Sequence, residues 1–304
     1  LWGMKHEHHS LAGKYDRAFA FGIFLNIVFV IIEAAFGVIS GSLALLADAG
    51  HNLSDVVGLL LAWGASYLAR RKPSERRTYG WHGSTILAAM LNAFILIFAV
   101  GAIAWEAIKR LTHPAPVAGK TVIIVAVIGM VINTATALLF RSGRKNDLNI
   151  RGAFLHMAAD AAVSAGVAVA GLAILFGGWL WLDPLLSLLI AVVILAGTWG
   201  LLREAVNLAL DAVPAGIDPG AVEAYLQSLP GVSAVHDLHI WGLSTSAAAL
   251  TVHLVKAAAD NDDALITQAS RELHERFKIA HTTLQWERDA TQCPSGLNCE
   301  NNGN

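Results

Sequence analysis

Charge is scarce in this sequence. Only 14% of its residues are Asp, Glu, Lys or Arg, while 55% are hydrophobic and the mean hydropathy is +0.55. Soluble domains carry about a quarter charged residues, so the shortage points to a lipid bilayer as solvent and partner. The net charge of −2 leaves no overall basic field and argues against a nucleic-acid partner. Cysteine is nearly missing. Cys293 and Cys299 both fall in the last dozen residues, cannot staple the body of the fold, and leave the redox compartment open. The eight prolines avoid the interiors of the long apolar runs; Pro184 sits near the start of the last run, where a helix tolerates it. No internal repeat is evident. No H-E-x-x-H motif occurs either, which removes the signature of an intramembrane metalloprotease and leaves no enzymatic reading. Leu1-Trp2-Gly3, ahead of Met4, is taken as an expression remnant and set aside.

What is present is length without charge. Six segments approach the roughly 20 apolar residues needed to cross a membrane: Ala18–Ser40, Leu43–Leu68, Thr85–Ile108, Thr121–Phe140, Gly152–Phe176 and Trp181–Leu202. Ser40-Gly41-Ser42 and Gly177-Gly178-Trp179 are short links that imply antiparallel neighbours. Basic residues orient the bundle. With both termini on one side, that side holds Lys5, Lys14, Arg17, Arg70, Arg71, Lys72, Arg76, Arg77, Arg141, Arg144, Lys145, Arg151 and Arg203, against Lys109, Arg110 and Lys120 opposite. Both termini are therefore expected in the cytoplasm, with Trp179 and Trp181 in an aromatic belt on the far side.

Composition changes after Asp211. Pro219–Leu229 reads as a helix, Val235–Trp241 and Ala247–Val255 as strands, Asp262–Phe277 as an amphipathic helix with Leu265, Ala269 and Leu273 four apart, and Thr282–Glu287 as a third strand. The αββαβ order suggests a small α+β sandwich with its helices on one face of the sheet. Its size makes association with a second copy plausible. The expected organisation is a histidine-containing segment over 1–16, an all-α membrane domain over 17–210, an α+β domain over 211–290 and a cysteine-containing tail over 291–304.

Ionisable residues inside spans are costly and mark function. The second span holds Asp48, His51 and Asp55, whose spacing of three and then four puts them on one helix face. The fifth holds His156 and Asp160. Together two imidazoles and two carboxylates suit a tetrahedral zinc-like ion. With twelve His and thirteen Asp in 304 residues, chance supplies a His-x-x-x-Asp about once in two such chains, so the argument rests on having both pairs. The competing readings are an interhelical hydrogen-bond clamp and a metal-free proton relay. Asp48 is expected to orient a ligand histidine or to carry a coupled proton. Glu33, Asn26, Asn92 and Asn133 read as interhelical hydrogen-bonding groups.

These residues carry a resemblance. Ser42-Leu43-Ala44-Leu45-Leu46-Ala47-Asp48-Ala49-Gly50-His51-Asn52-Leu53-Ser54-Asp55, Tyr79-Gly80-Trp81, Leu87-Ala88-Ala89-Met90-Leu91-Asn92, His156–Asp160, Val235-His236-Asp237-Leu238-His239-Ile240-Trp241 and His281-Thr282-Thr283-Leu284-Gln285 resemble, in order and spacing, the cation diffusion facilitator family of divalent-metal exporters. The resemblance implies six membrane helices, a ferredoxin-like cytoplasmic domain, a homodimer and metal/proton antiport. It implies that His51, Asp55, His156 and Asp160 ligate the transported ion. A histidine at position 51 is similar to zinc-preferring members, whereas members with Asp there tend to accept cadmium as well. It further implies regulatory metal at His236, His253 and His281, and metal bound by the tail pair Cys293 and Cys299 with N-terminal histidines such as His8. Zinc is the expected ion, with cobalt, nickel, iron and cadmium as alternatives. The chain departs from similar members at Gly83-Ser84-Thr85, where an Arg and a Glu are frequent. The short basic Arg141–Arg151 link, without a long His-rich loop, suggests a bacterial-type member in the inner membrane.

Overall fold

A computed structural model of the chain describes residues 27–140, 148–257 and 262–288. The stretch Ala18–Asn26 of the expected first span, most of the basic link after the fourth span, the His8 segment and the Cys293/Cys299 tail lie outside the described residues. Eleven elements follow in order among the described residues: helices α1 (Ile27–Ser40), α2 (Leu43–Ala69), α3 (Ser84–Thr112), α4 (Gly119–Phe140), α5 (Leu148–Gly177), α6 (Leu182–Ala209) and α7 (Pro219–Gln227), strands β1 (Ala234–Gly242) and β2 (Ala248–Val255), helix α8 (Asp262–Phe277) and strand β3 (Ile279–Glu287). They fall into two compact units, one of the described residues up to Leu59 with Asn92–Trp199, the other of Leu60–Leu91 with the described residues from Gly200 onward.

Four helices, α3 to α6, are long and apolar enough to cross a membrane, which makes this a multi-pass membrane protein. Helix α2 runs 27 residues, about 40 Å at 1.5 Å per residue, but falls short of that apolar standard because Asp48, His51, Asn52 and Asp55 interrupt it. The first unit shares one apolar core, to which α1 gives Phe29, α2 Leu45, α3 Val100, α4 Val125, α5 Val167 and α6 Ile190. Outward-facing Ile39, Phe98, Phe176 and Val192 are exposed, as a lipid-facing surface requires.

Two devices set the helices close. Helix α4 lies against α5, and a Cβ at Gly119 would stand 3.0 Å from the Gly171 carbonyl oxygen, so small residues permit the approach. The α1–α2 turn needs Gly41 at φ 70°, a left-handed conformation that costs glycine little. Beyond that turn, buried Asp183 of α6 caps α2, accepting from the Ser42 hydroxyl, from Leu43 N at 2.7 Å and from Ala44 N at 3.4 Å.

In the second unit the three strands stand in the order β1-β2-β3, with β1 antiparallel and β3 parallel to β2. Helix α8 supplies the crossover that parallel pairing demands. Val222 and Leu226 of α7 and Leu265, Ala269 and Leu273 of α8 share one core with Leu250, Val252 and Leu254 of β2. Asp218 caps α7 by accepting from Gly220 N, with Pro219 opening the helix. The observed order is the expected αββαβ, and β3 begins three residues earlier than expected, directly after Lys278 turns the chain at φ 61°.

Candidate metal centre

Helical periodicity decides the first site. Residues 51 and 55 lie one turn apart on α2, and 156 and 160 one turn apart on α5. Their side chains converge. His156 Nε2 lies 3.1 Å from Asp55 Oδ2 and 3.7 Å from Asp160 Oδ2; His51 Nε2 lies 3.9 Å from Asp55 Oδ2 and 3.9 Å from Asp160 Oδ1. The two imidazoles meet edge-on with ring centroids 5.7 Å apart. A tetrahedral zinc with bonds near 2.0–2.1 Å places its ligand atoms roughly 3.3 Å from one another. The four nitrogen–oxygen separations approach that spacing, and one ligand atom each from His51, His156 and Asp160 lies within 4.8 Å of the others, a set that Asp55 touches through the two histidines without joining it. Access is one-sided: the Asp160 side chain is 4% exposed and that of His156 41%.

Asp48 does not touch a ligand histidine by hydrogen bond. Its Oδ2 accepts from Ser164 Oγ on α5 at 3.2 Å, and its carboxyl group meets that of Glu33. Glu33, Asn52 and Asn133 are all buried.

A second cluster forms on the sheet face turned away from α7 and α8. Strand register sets His236 beside His253, with ring centroids 5.2 Å apart. Glu287, at the end of β3, joins them: Oε2 lies 2.9 Å from His236 Nε2 and Oε1 2.8 Å from His253 Nδ1. A register shift between His236 and His239 leaves Asp237 at φ 54°. That bulge re-aims its carboxylate, which reaches His239 Nε2 at 3.0 Å and stands 3.7 Å from His253 Nε2. His281 is elsewhere, exposed near the start of β3 with its ring edge-on to Tyr79 at 5.5 Å. Glu287 and Asp237 were not singled out by the sequence. Their signal is register rather than spacing, since Val255 pairs with Glu287 only once β2 and β3 align. Cys293, Cys299 and His8 lie outside the described residues.

Both halves of the chain match family models. The cation efflux transmembrane domain covers residues 20–208, and the cation efflux protein cytoplasmic domain covers 214–289. The chain belongs to the cation efflux, or cation diffusion facilitator, family. Cation efflux members similar to it include the cation efflux system protein CzcD of Alcaligenes sp. (strain CT14), 36% identical over 286 residues, 94% of this chain and 90% of the relative. The zinc transporter ZitB of Escherichia coli (strain K12) is 37% identical over 271 residues, 88% of this chain and 86% of its own. The cadmium, cobalt and zinc/H(+)-K(+) antiporter of Bacillus subtilis (strain 168) is 34% identical over 302 residues, 98% and 96% respectively. Cation efflux proteins are transporters, not enzymes, and a divalent metal cation is their cargo.

Proposed function

We propose that this cation efflux protein exports zinc from the cytoplasm in exchange for protons, through His51, Asp55, His156 and Asp160. The observation that carries the reading is the convergence of two imidazole nitrogens and two carboxylates at near-tetrahedral spacing inside apolar helices. Relatives named as zinc transporters, and as cadmium, cobalt and zinc antiporters, support the choice of cargo. Borderline nitrogen and carboxylate ligands suit zinc, with cobalt, nickel, iron and cadmium as competitors. Metal ligation needs neutral imidazole and ionised carboxylate, so loading releases protons, and protonation from the far side releases the metal. Alternating access of the bundle completes the exchange.

The same reading takes the membrane domain, 17–210, as six helices with α1 and α2 completing the set. It takes 211–290 as a ferredoxin-like cytoplasmic domain that pairs two chains as a homodimer, both termini cytoplasmic, in a bacterial inner membrane. Metal held by His236, His253 and Glu287 would bias the transport equilibrium through that domain. The test is metal uptake into proteoliposomes with an acidic lumen. Uptake that alkalinises the lumen and stops when the gradient is collapsed supports antiport. Metal flux indifferent to lumenal pH favours a channel and overturns it.

A further inference from the structure

We infer that Glu33 of α1 and Asp48 of α2 hold one exchangeable proton between them, as a buried carboxyl pair distinct from the four proposed metal ligands. Resting on the antiport reading, this assigns it a proton site that the ligand set does not contain. Glu33 is 0% exposed and Asp48 2%, and their carboxyl groups lie within hydrogen-bonding reach of each other. Ionised carboxylates only accept hydrogen bonds. Two of them meet this closely in an apolar interior only if a proton bridges them or a cation neutralises them.

No Lys or Arg faces the pair among the described residues. The groups around it are Asn52 and His51 on α2, and Ser164 and Asp160 on α5. Neither Glu33 oxygen has a well-aligned donor, and the amide of Asn52, 1% exposed and directed at Glu33, has no satisfied hydrogen bond of its own. A proton on Glu33 supplies the missing donor toward Asp48, whose other commitment is the Ser164 hydroxyl.

The pair is coupled to the cargo by charge. Asp48 interacts electrostatically with His51 and Asp160, and Glu33 with Asp160. A divalent ion arriving among the ligands favours the ionised form of the pair, so the bridging proton leaves to water. Re-protonation from an acidic compartment then weakens metal binding from behind the ligands.

The experiment is calorimetry of zinc binding to the purified full-length protein, in buffers of different ionisation enthalpy that count released protons. E33Q is expected to bind the same number of zinc ions while releasing about one proton fewer per transported ion, and D48N to do the same. E33D, which keeps a carboxyl group, restores the count and guards against a variant that merely folds poorly. Equal proton release by E33Q, D48N and wild type overturns the assignment while leaving antiport intact. Wild type that releases no proton overturns antiport, and this inference with it. Zinc affinity in wild type that depends on sodium or potassium instead of pH assigns the pair to an alkali ion and also overturns the inference.

Discussion

The two histidine clusters use the same ingredients and differ in how fully they satisfy themselves. In the membrane domain three of the four nitrogen–oxygen contacts are 3.7–3.9 Å, too long for hydrogen bonds, and only His156–Asp55 closes to 3.1 Å. In the C-terminal domain one carboxylate, Glu287, closes on both histidines: it hydrogen-bonds His236 Nε2 at 2.9 Å and stands 2.8 Å from His253 Nδ1, a contact not aligned as a hydrogen bond. The first is a cage with its edges already near those of a bound ion. The second is closed on itself, and an ion entering it must pry Glu287 off both rings. A transport site needs the open kind, because cargo must leave as readily as it enters. A site that reports on metal tolerates the closed kind, since rearrangement on binding is the signal.

The largest expected effect separates the two. On the proposed function, His51→Ala or Asp160→Ala removes one of the four proposed ligands and is expected to lower metal transport by about 100-fold, the upper end of the scale seen when even a supporting group of a metal site is lost. His236→Ala should leave transport within a few-fold of wild type. Proteoliposome uptake measures both. Transport lost in H236A but kept in H51A would invert the comparison.

Next in size is metal stoichiometry. His236→Ala and Glu287→Ala are expected to remove one bound ion per chain, whereas His281→Ala should remove none. By register His281 stands opposite Ala249 and Glu287 opposite Val255, which separates them by about 20 Å along an extended strand. Metal analysis of the purified variants checks this. An ion lost from H281A would show that a second chain, rather than the same sheet, brings that histidine to the cluster.

These cases show what the sequence could say. A helix writes proximity into spacing, so His51/Asp55 and His156/Asp160 were legible as faces, and α8 was legible to the residue from Leu265, Ala269 and Leu273. A sheet writes proximity into register, which spacing does not carry. His236 and His253 were singled out, but Glu287 was missed and His281 was grouped with them. Asp237 was missed for the same reason, since nothing local announces the bulge that turns it toward His253. The sequence leaves Asp48 two roles, orienting a ligand histidine or carrying a coupled proton, and its hydrogen bond to Ser164, 116 residues away, is one that spacing does not announce. Asp183 was invisible as a cap because its partners lie some 140 residues earlier.

That cap gives the third prediction, one of stability. Asp183→Ala leaves buried donors at Leu43 N and the Ser42 hydroxyl without their acceptor, at a cost of about 1–3 kcal/mol each. Thermal unfolding of the protein in detergent should show a lower midpoint. Transport should fall with it, because the cap fixes where α2 starts and so where His51 points. Asp183→Asn keeps one acceptor oxygen and should lose less. The C-terminal cluster takes its geometry instead from strand register, which sets His236 beside His253 and Glu287 beside Val255.

The smallest effect lies in that second unit and depends on pH. The ammonium of Lys256 and the guanidinium of Arg288 donate to Asp262 at the start of α8, both at 2.8 Å, and hold its carboxyl below the usual 3.8. A carboxylate whose folded pKa is depressed adds stability that is present above its unfolded value and lost as pH falls through the folded one. The clamp therefore contributes fully at neutral pH and disappears only below about 3.8. Asp262 is only partly buried, so the contribution is small and screened by salt. Asp262→Asn should flatten the acid limb of unfolding followed by the C-terminal tryptophans and leave the neutral-pH midpoint nearly unchanged. An acid limb that D262N leaves in place would assign it to another carboxylate and remove the clamp at the start of α8 as its source.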